Sequence, residues 1–402
     1  MNENRLTPTA RLVLVLNALY MTADALCTVF VGVYLWINSL AFSVVCGHYI
    51  ALYAVTPVFF LLAGWYSKSR DRVHVFRLGL ILHAVYYGLI LWLQESATTY
   101  AVHLGALLGV TWGLFWAGNN VFHYDVTKGE KREYYFGALN VVWGSARLLA
   151  PVIGGLLIEF APHQAAGYHL IFALAMALYL AAFVMSYRIP ADRQPRPFRI
   201  GRALWPGKDQ RDWRLVMIAS ATIAGAFSIF YFLLGLAMFM VTNKEFDVGW
   251  YTGLQALVSM ATGYVIGRLI VPRTRRHAMI WAVILLSAGG LVMLYAINVY
   301  TLVIFGFLRA IATPLFQIPH SGLRFEIIDA CIQDPSERIE YIAAWEVPLA
   351  VGRVVMMGII LGLYQWQGLW GLQIALFLMC ANRILTYALL RQTSIMKQAV
   401  AR

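Results

Sequence analysis

Twelve apolar runs occupy most of this 402-residue chain, and their length limits what it can fold into. They fall at about 11–36, 42–66, 76–94, 100–122, 134–159, 168–187, 214–241, 248–271, 277–296, 299–323, 338–364 and 368–391. A bilayer core about 30 Å thick is crossed by roughly 20 helical residues rising 1.5 Å each, so every run is long enough to span. Hydrocarbon offers no partner to a free backbone amide, and a helix satisfies its own. With 61% hydrophobic and 12% charged residues, a water-soluble domain is excluded. The expectation is an all-α membrane protein with twelve transmembrane helices.

A net charge of +12 would suit a nucleic-acid binder if the basic residues shared a face, but their order along the chain says otherwise. Loops at 67–77, 123–133, 188–213 and 272–276, with both termini, hold nearly all Lys and Arg. The alternate loops hold none apart from Lys244. This positive-inside pattern places both termini in the cytoplasm of a multi-pass protein in the inner or plasma membrane. The bilayer is the expected partner, anionic lipid attracts the basic loops, and nucleic acid is not expected.

Cys27, Cys46, Cys331 and Cys380 are scattered and suggest neither a disulfide framework nor a metal clip. His48, His83, His103, His123 and His320 share no ligand spacing on one helix, so no metal site and no cofactor is expected, with a metal substrate held by ligands converging from several spans as the minor alternative. Ala23-Asp24-Ala25 resembles a signal cleavage site, but the apolar run continues to about Leu40, which favours an uncleaved first helix.

The widest break carries Pro190, Pro195, Pro197 and Pro206 among eight basic residues. No helix would span there. It separates two six-span bundles, 1–187 and 214–402, with a cytoplasmic linker at 188–213. Around it lies an internal repeat. At one constant separation Arg132 pairs with Arg338, Tyr135 with Tyr341, Ala138 with Ala344, Asn140 with Glu346, Val141 with Val347 and Arg147 with Arg353. Weaker echoes match Asn120 and His123 with Gln317 and His320, and Gly64, Arg70 and Arg72 with Gly267, Arg273 and Arg275. Six spans is an even number, so the repeats run parallel, related by an axis along the membrane normal.

These features resemble the major facilitator superfamily over essentially the whole chain. In the fifth span Gly137, Ala146, Ala150, Pro151, Gly154 and Gly155 follow the spacing of that family's antiporter motif, with alanine at two glycine positions. Helix packing by small residues explains the same pattern. The motif after the second span keeps Gly64 and a basic run through Arg72, with Lys68 where the family has Asp. The family's fourth-span arginine has no counterpart, although Arg309 in the tenth span occupies a mirrored place. The resemblance implies a secondary transporter in which spans 1, 4, 7 and 10 line the cavity, supported by 2, 5, 8 and 11. Gly64, Arg72, Gly137, Pro151, Gly154 and Gly155 become gating or packing positions.

Charged and amide side chains inside the spans fall on those helices. The expected substrate-binding set is Asn17, Asp24, Trp116, Asn119, Asn120, Asn140, Arg147, Arg309, Gln317, Glu346 and Arg353. A guanidinium in hydrocarbon costs roughly 2.5 to 3.5 kcal/mol on insertion scales, so a buried arginine is expected to serve a function. Asp24 and Glu346 are the candidate proton carriers, with a fixed ion pair to Arg147 or Arg353 as the alternative for Asp24. Three arginines against two carboxylates favour an anionic or zwitterionic substrate. Trp112, Trp116, Trp143 and Trp345 offer an aromatic wall or interface anchors. Arg383 is expected to snorkel to the cytoplasmic surface, and carboxylates such as Glu326 and Asp329 to close ion pairs or cap helices.

No Gly-rich Lys-Ser/Thr loop is present to bind a nucleotide, which leaves ion gradients as the expected drive. The reading is a monomeric, proton-coupled exporter of a small organic molecule, anionic or amphipathic, working by alternating access. An importer or a lipid flippase of the same fold is the alternative, ahead of a membrane-embedded enzyme or a non-transporting membrane protein.

Overall fold

The computed structural model describes residues 6–125, 131–189, 197–223, 225–271, 273–334 and 337–401, and among them every regular element is helical. The first six helices are α1 (Pro8–Ser39), α2 (Phe42–Ser69), α3 (Arg72–Leu93), α4 (Ala101–Asp125), α5 (Lys131–Glu159) and α6 (Gln164–Ser186). A short α7 (Gly201–Leu204) precedes α8 (Arg211–Ile223), α9 (Gly225–Thr242), α10 (Glu245–Leu269), α11 (Arg275–Tyr295), α12 (Val299–Cys331), α13 (Arg338–Gln367), α14 (Leu369–Leu390) and α15 (Ser394–Ala401). Local chemistry sets the boundaries. Thr7 Oγ1 accepts from the Ala10 amide at 3.1 Å and Pro8 opens α1, a serviceable N-terminus for a helix of 32 residues. Asp71, displaced from its family position, caps α3 by accepting from the Val73 amide at 2.9 Å.

Among the described residues, eleven helical segments are long and apolar enough to cross a membrane. The remaining expected span, 248–271, is α10, whose first turn holds Glu245 and Asp247 and whose last turn holds Arg268. Acid at the N-terminus and base at the C-terminus complement the helix dipole, while lowering the mean hydropathy. The expected seventh span comprises α8 and α9. Large apolar side chains such as Val58, Leu62, Val102 and Val184 stay exposed, as hydrocarbon-facing surfaces require and soluble ones avoid.

The chain divides into two compact units. The first holds the residues up to Phe198 with Lys244–Gly253, and the second holds Arg199–Asn243 with Leu254 onward. In the first unit α1 packs on α5 and α6, and α3 packs on α4 and α6. In the second, α8 packs on α13 and α14, and α11 packs on α12 and α14. The same pairings recur in the same order, which is the structural counterpart of the sequence repeat.

The tightest seam of the first unit lies where α4 meets α2. Gly105, Gly109 and Gly113 recur every fourth residue and so share one face. A Cβ on Gly105 would overlap the His48 carbonyl, one on Gly109 would lie 2.6 Å from the Leu52 oxygen, and one on Gly113 would lie 2.7 Å from that of Thr56. The three carbonyls are themselves four residues apart, so two backbones meet in register, as small-residue seams in membranes allow. Gly109→Leu is expected to destabilise the bundle by at least the roughly 1–3 kcal/mol of ordinary overpacking, read as a lower melting temperature of the purified protein in detergent.

At the basic end of α3, Arg77 Nη2 donates to the carbonyls of Ser186 (3.0 Å) and Ile189 (3.2 Å) while its guanidinium lies 4.4 Å from the Tyr187 ring. It adds charge-assisted bonds to carbonyls at the end of α6, that of Ser186 also accepting from the Ile189 amide at 3.0 Å. Lys68, the residue standing where the family has Asp, is buried and donates to the Pro197 carbonyl at 3.4 Å. In the second unit Arg275 grips Glu326 with both terminal nitrogens (2.8 and 2.6 Å), and Arg338 pairs with Asp329. These carboxylates therefore close the inter-helix ion pairs anticipated for them. The side chains of Arg72, His123, Asp125, Arg132 and Glu133, and residue Glu130, lie outside the described residues.

Small residues of α5 have unequal roles. Gly154 faces Phe30 and the Leu26 carbonyl, and Gly155 faces the Glu245 carbonyl at 2.6 Å from an added Cβ. The buried Pro151 presents its carbonyl to Gly249. Gly64 is buried in α2. Gly137 departs from the packing expectation: a Cβ there would meet no atom within 4 Å, because this stretch of α5 is exposed.

Candidate functional site

The first unit gathers its polar groups where α1, α4 and α5 meet. Asn17 and Asn119, both fully buried, bond reciprocally: Asn17 Nδ2 donates to Asn119 Oδ1 at 3.0 Å and Asn119 Nδ2 donates to Asn17 Oδ1 at 3.2 Å. Trp143 Nε1 donates to the same Asn17 oxygen at 3.4 Å. The two amides, with Trp143, tie three helices together, and their polar groups are spent on one another rather than left open. Asn17→Leu removes the acceptor that both neighbours use, and an expected cost of about 1–3 kcal/mol should appear as a lower melting temperature.

Above them, Tyr20 stacks on Phe115 with ring centroids 3.4 Å apart, and Trp116 meets Tyr20 and Trp143 edge-on at 5.9 and 5.7 Å. Tyr20 Oη also contacts His83 Nε2 at 3.3 Å, and Thr111 Oγ1 contacts that nitrogen at 3.2 Å. Sequence spacing did not single out His83 for this network, because its partners come from different helices. Two turns along α1 from Asn17, half-buried Asp24 accepts a hydrogen bond from Thr28 at 3.0 Å and lies within electrostatic reach of Arg147 on α5. Arg147 and Asn140 are exposed, as is Asn120 at the end of α4. The first unit thus holds a carboxylate within electrostatic reach of an exposed cation on a neighbouring helix.

The second unit repeats that pairing with other residues. Arg353 Nη1 lies 3.5 Å from Glu346 Oε2 on the same face of α13, with side chains only 11% and 18% exposed. Arg309 Nη1 donates to Gln255 at 2.9 Å, over the Phe230 ring at 5.4 Å, and Gln317 is half-buried two turns further along α12. Trp345 Nε1 donates to Ser220 Oγ at 2.6 Å, which fixes its ring. Arg383 does not snorkel to the surface. It is 5% exposed and its guanidinium lies 5.0 Å from the Phe316 ring, because α14 turns it toward α12 and an aromatic face takes the place of water. Arg324 was not singled out either, and it lies 3.6 Å from the Trp345 ring. Among the described residues, no group of three or more His, Cys, Asp or Glu could hold a metal ion.

The family model described as Major Facilitator Superfamily matches residues 13–323. The chain belongs to the major facilitator superfamily. Its fold is accordingly all-α, with twelve membrane helices in two six-helix parallel repeats, and the family makes it a multi-pass membrane transporter of small molecules.

Members and fold neighbours span several cargoes. The chain is similar to the uncharacterized protein YqgE of Bacillus subtilis (strain 168), 29% identical over 342 residues, covering 85% of this chain and 79% of that one. A Geobacillus stearothermophilus protein, described as uncharacterized in the sodM 3′ region, is 34% identical over 166 residues, covering 41% of this chain and 77% of its own length. The class H tetracycline resistance protein of Pasteurella multocida is 29% identical over 154 residues, which is 37% of this chain and 38% of that protein. Among solved structures, a bacterial homologue of the iron transporter ferroportin in an inward-facing state superposes with TM-score 0.68 at 14% identity, covering 98% and 99% of the two chains. The human organic anion transporter MFSD10 gives TM-score 0.66 at 16% identity, covering 96% and 100%. At such identities the structures share the fold alone.

Proposed function

We propose that this superfamily member is a proton-coupled exporter in the cell membrane, with both termini cytoplasmic, that moves a small organic molecule carrying an anionic group. Two bundles, 1–187 and 214–402, rock about the 188–213 linker and expose their polar groups to each side in turn. The observation that carries this reading is that each bundle holds an arginine and a carboxylate that act on each other within its apolar helices, Arg147 within electrostatic reach of Asp24 and Arg353 at 3.5 Å from Glu346. Such charges are expensive in a bilayer and mark ion and substrate paths. Similarity to a tetracycline resistance protein over part of the chain supports outward transport.

The chemistry constrains the cargo further. A proton on Asp24 frees Arg147 for an anion, so a simple anion and a proton bind together and travel in the same direction. Exchange in opposite directions requires competition for the carboxylate. The substrate must then present an ammonium or other donor to Asp24 as well as an anionic group to arginine, which makes a zwitterionic, amphipathic molecule the best fit. Asn17, Trp116, Asn119, Asn120 and Asn140 shape the first bundle's surface for it, and Arg309 and Gln317 that of the second.

The test uses proteoliposomes with a trapped pH-sensitive dye. Addition of a zwitterionic substrate such as tetracycline to vesicles with an acidic interior is expected to drive its uptake and raise the internal pH. Uptake unchanged after an ionophore collapses the gradient would remove the coupling claim.

A further inference from the structure

Beyond the paired charges and Arg309, the second unit buries cationic groups that no step above uses. Arg309, Phe316, His320 and Arg324 follow one another on α12 at spacings of seven, four and four residues, so they share a helix face. Arg383 on α14 joins them over the Phe316 ring, and both Arg324 and Arg383 act electrostatically on His320. His320 is 2% exposed, and its Nε2 has no hydrogen-bond partner among the described residues. Arg324 likewise buries Nε and Nη1 without a hydrogen-bond partner, while Trp345 covers the flat side of its guanidinium at 3.6 Å. The carboxylate that acts on Arg324 is Glu346, and that group already pairs with Arg353.

A buried donor without an acceptor loses its water and gains nothing in return, at about 1–3 kcal/mol per group and more for a charged one. Here the deficit is concentrated along one helix: Arg324 and His320 stand one turn apart on α12, and Arg383 lies over Phe316, one turn before His320. Aromatic faces over the guanidiniums lower the cost of burial, but they accept none of the in-plane N–H bonds. An oxyanion would accept them, and the planar fork of arginine suits a carboxylate.

We infer that Arg324, His320 and Arg383 form an anion-binding subsite in the second bundle, which takes the carboxylate of an aromatic or other apolar organic acid against Trp345 and Phe316. His320 and Arg324 lie about 17 and 23 Å along α12 from Arg309, given 1.5 Å per residue, toward the basic loops. The subsite rests on the transporter reading only for its physiological use, as a first holding place for the anionic group of the cargo. Binding itself needs no transport, so the two can fail separately.

The experiment is calorimetric titration of the full-length protein with 2-naphthoate, in nanodiscs of phosphatidylcholine alone and of phosphatidylcholine mixed with phosphatidylglycerol. The wild-type protein is expected to bind naphthoate in both, and not the uncharged 2-naphthalenemethanol. Arg324→Gln should weaken binding about tenfold or more, the loss of one charge-assisted hydrogen bond. Arg268→Gln, at an exposed position of α10 outside both sites, should change it less than threefold. Arg324→Lys keeps the charge and guards against a folding defect. With its melting temperature intact it should still bind more weakly than wild type, because an ammonium cannot reproduce the fork. Equal affinity in wild type and both Arg324 variants would overturn the proposal. So would phosphatidylglycerol abolishing naphthoate binding in the wild-type protein, since the pocket would then hold a lipid headgroup.

Discussion

Asp24→Asn is expected to abolish pH-driven accumulation in proteoliposomes while leaving substrate exchange at zero gradient within a few-fold of wild type. Asparagine keeps the size and the bond to Thr28 but carries no titratable proton, so it mimics one protonation state permanently. A carrier locked in that state can still swap one substrate for another, since swapping needs no change of charge. It cannot convert a proton gradient into a substrate gradient, because the two no longer compete for one group. Asp24→Glu, which titrates but places the carboxyl one methylene further along, should retain part of the coupling. If Asp24→Asn still accumulates substrate against a gradient at the wild-type level, the proton carrier lies elsewhere, and Glu346 becomes the group to test.

The second large effect is expected at the α13 pair. Arg353→Met leaves Glu346, with its side chain 18% exposed, beside an apolar thioether. Breaking a buried ion pair from one side typically costs about 3–5 kcal/mol, much of it the stranded charge, so both the melting temperature and transport should fall sharply. Adding Glu346→Gln removes the stranded charge. The double variant Arg353→Met with Glu346→Gln is expected to recover most of the melting temperature and none of the transport. Recovery of both would make the pair a structural fastening, and recovery of neither would give Arg353 a further structural partner. Thermal melts in detergent and flux in proteoliposomes, on the same preparations, separate these outcomes.

Hydropathy and loop charge made the helical fold legible, because membrane spans are set by length and apolarity alone. The match of Arg147 with Arg353 likewise showed the duplication before any coordinates. Azimuth was not legible. Asn17 and Asn119 stand far apart in sequence, and no spacing rule announces that their amides bond to each other. Arg383 lies towards the end of its helix, where snorkelling is the ordinary outcome; only the packing of α14 against α8, α11 and α13 turns it under Phe316. Gly105, Gly109 and Gly113 form a readable small-residue ladder, yet the carbonyls of residues 48, 52 and 56 that require it come from another helix. Gly137 shows the converse. Its spacing fits a family motif, while its surroundings are open.

The account depends on two bundles exchanging exposure of their charged groups between the two sides of the membrane. Spin labels would report this directly, in a background where Cys27, Cys46, Cys331 and Cys380 are replaced. One pair belongs at Arg70 and Arg273 on the basic side, the other at Leu40 and Tyr295, which are 75% and 85% exposed, on the opposite side. Pulsed electron paramagnetic resonance in nanodiscs should give two distances for each pair. A change in pH or added substrate should shift the populations reciprocally, one side lengthening as the other shortens. A single distance for both pairs, the same at every pH and with every ligand, would contradict the carrier account.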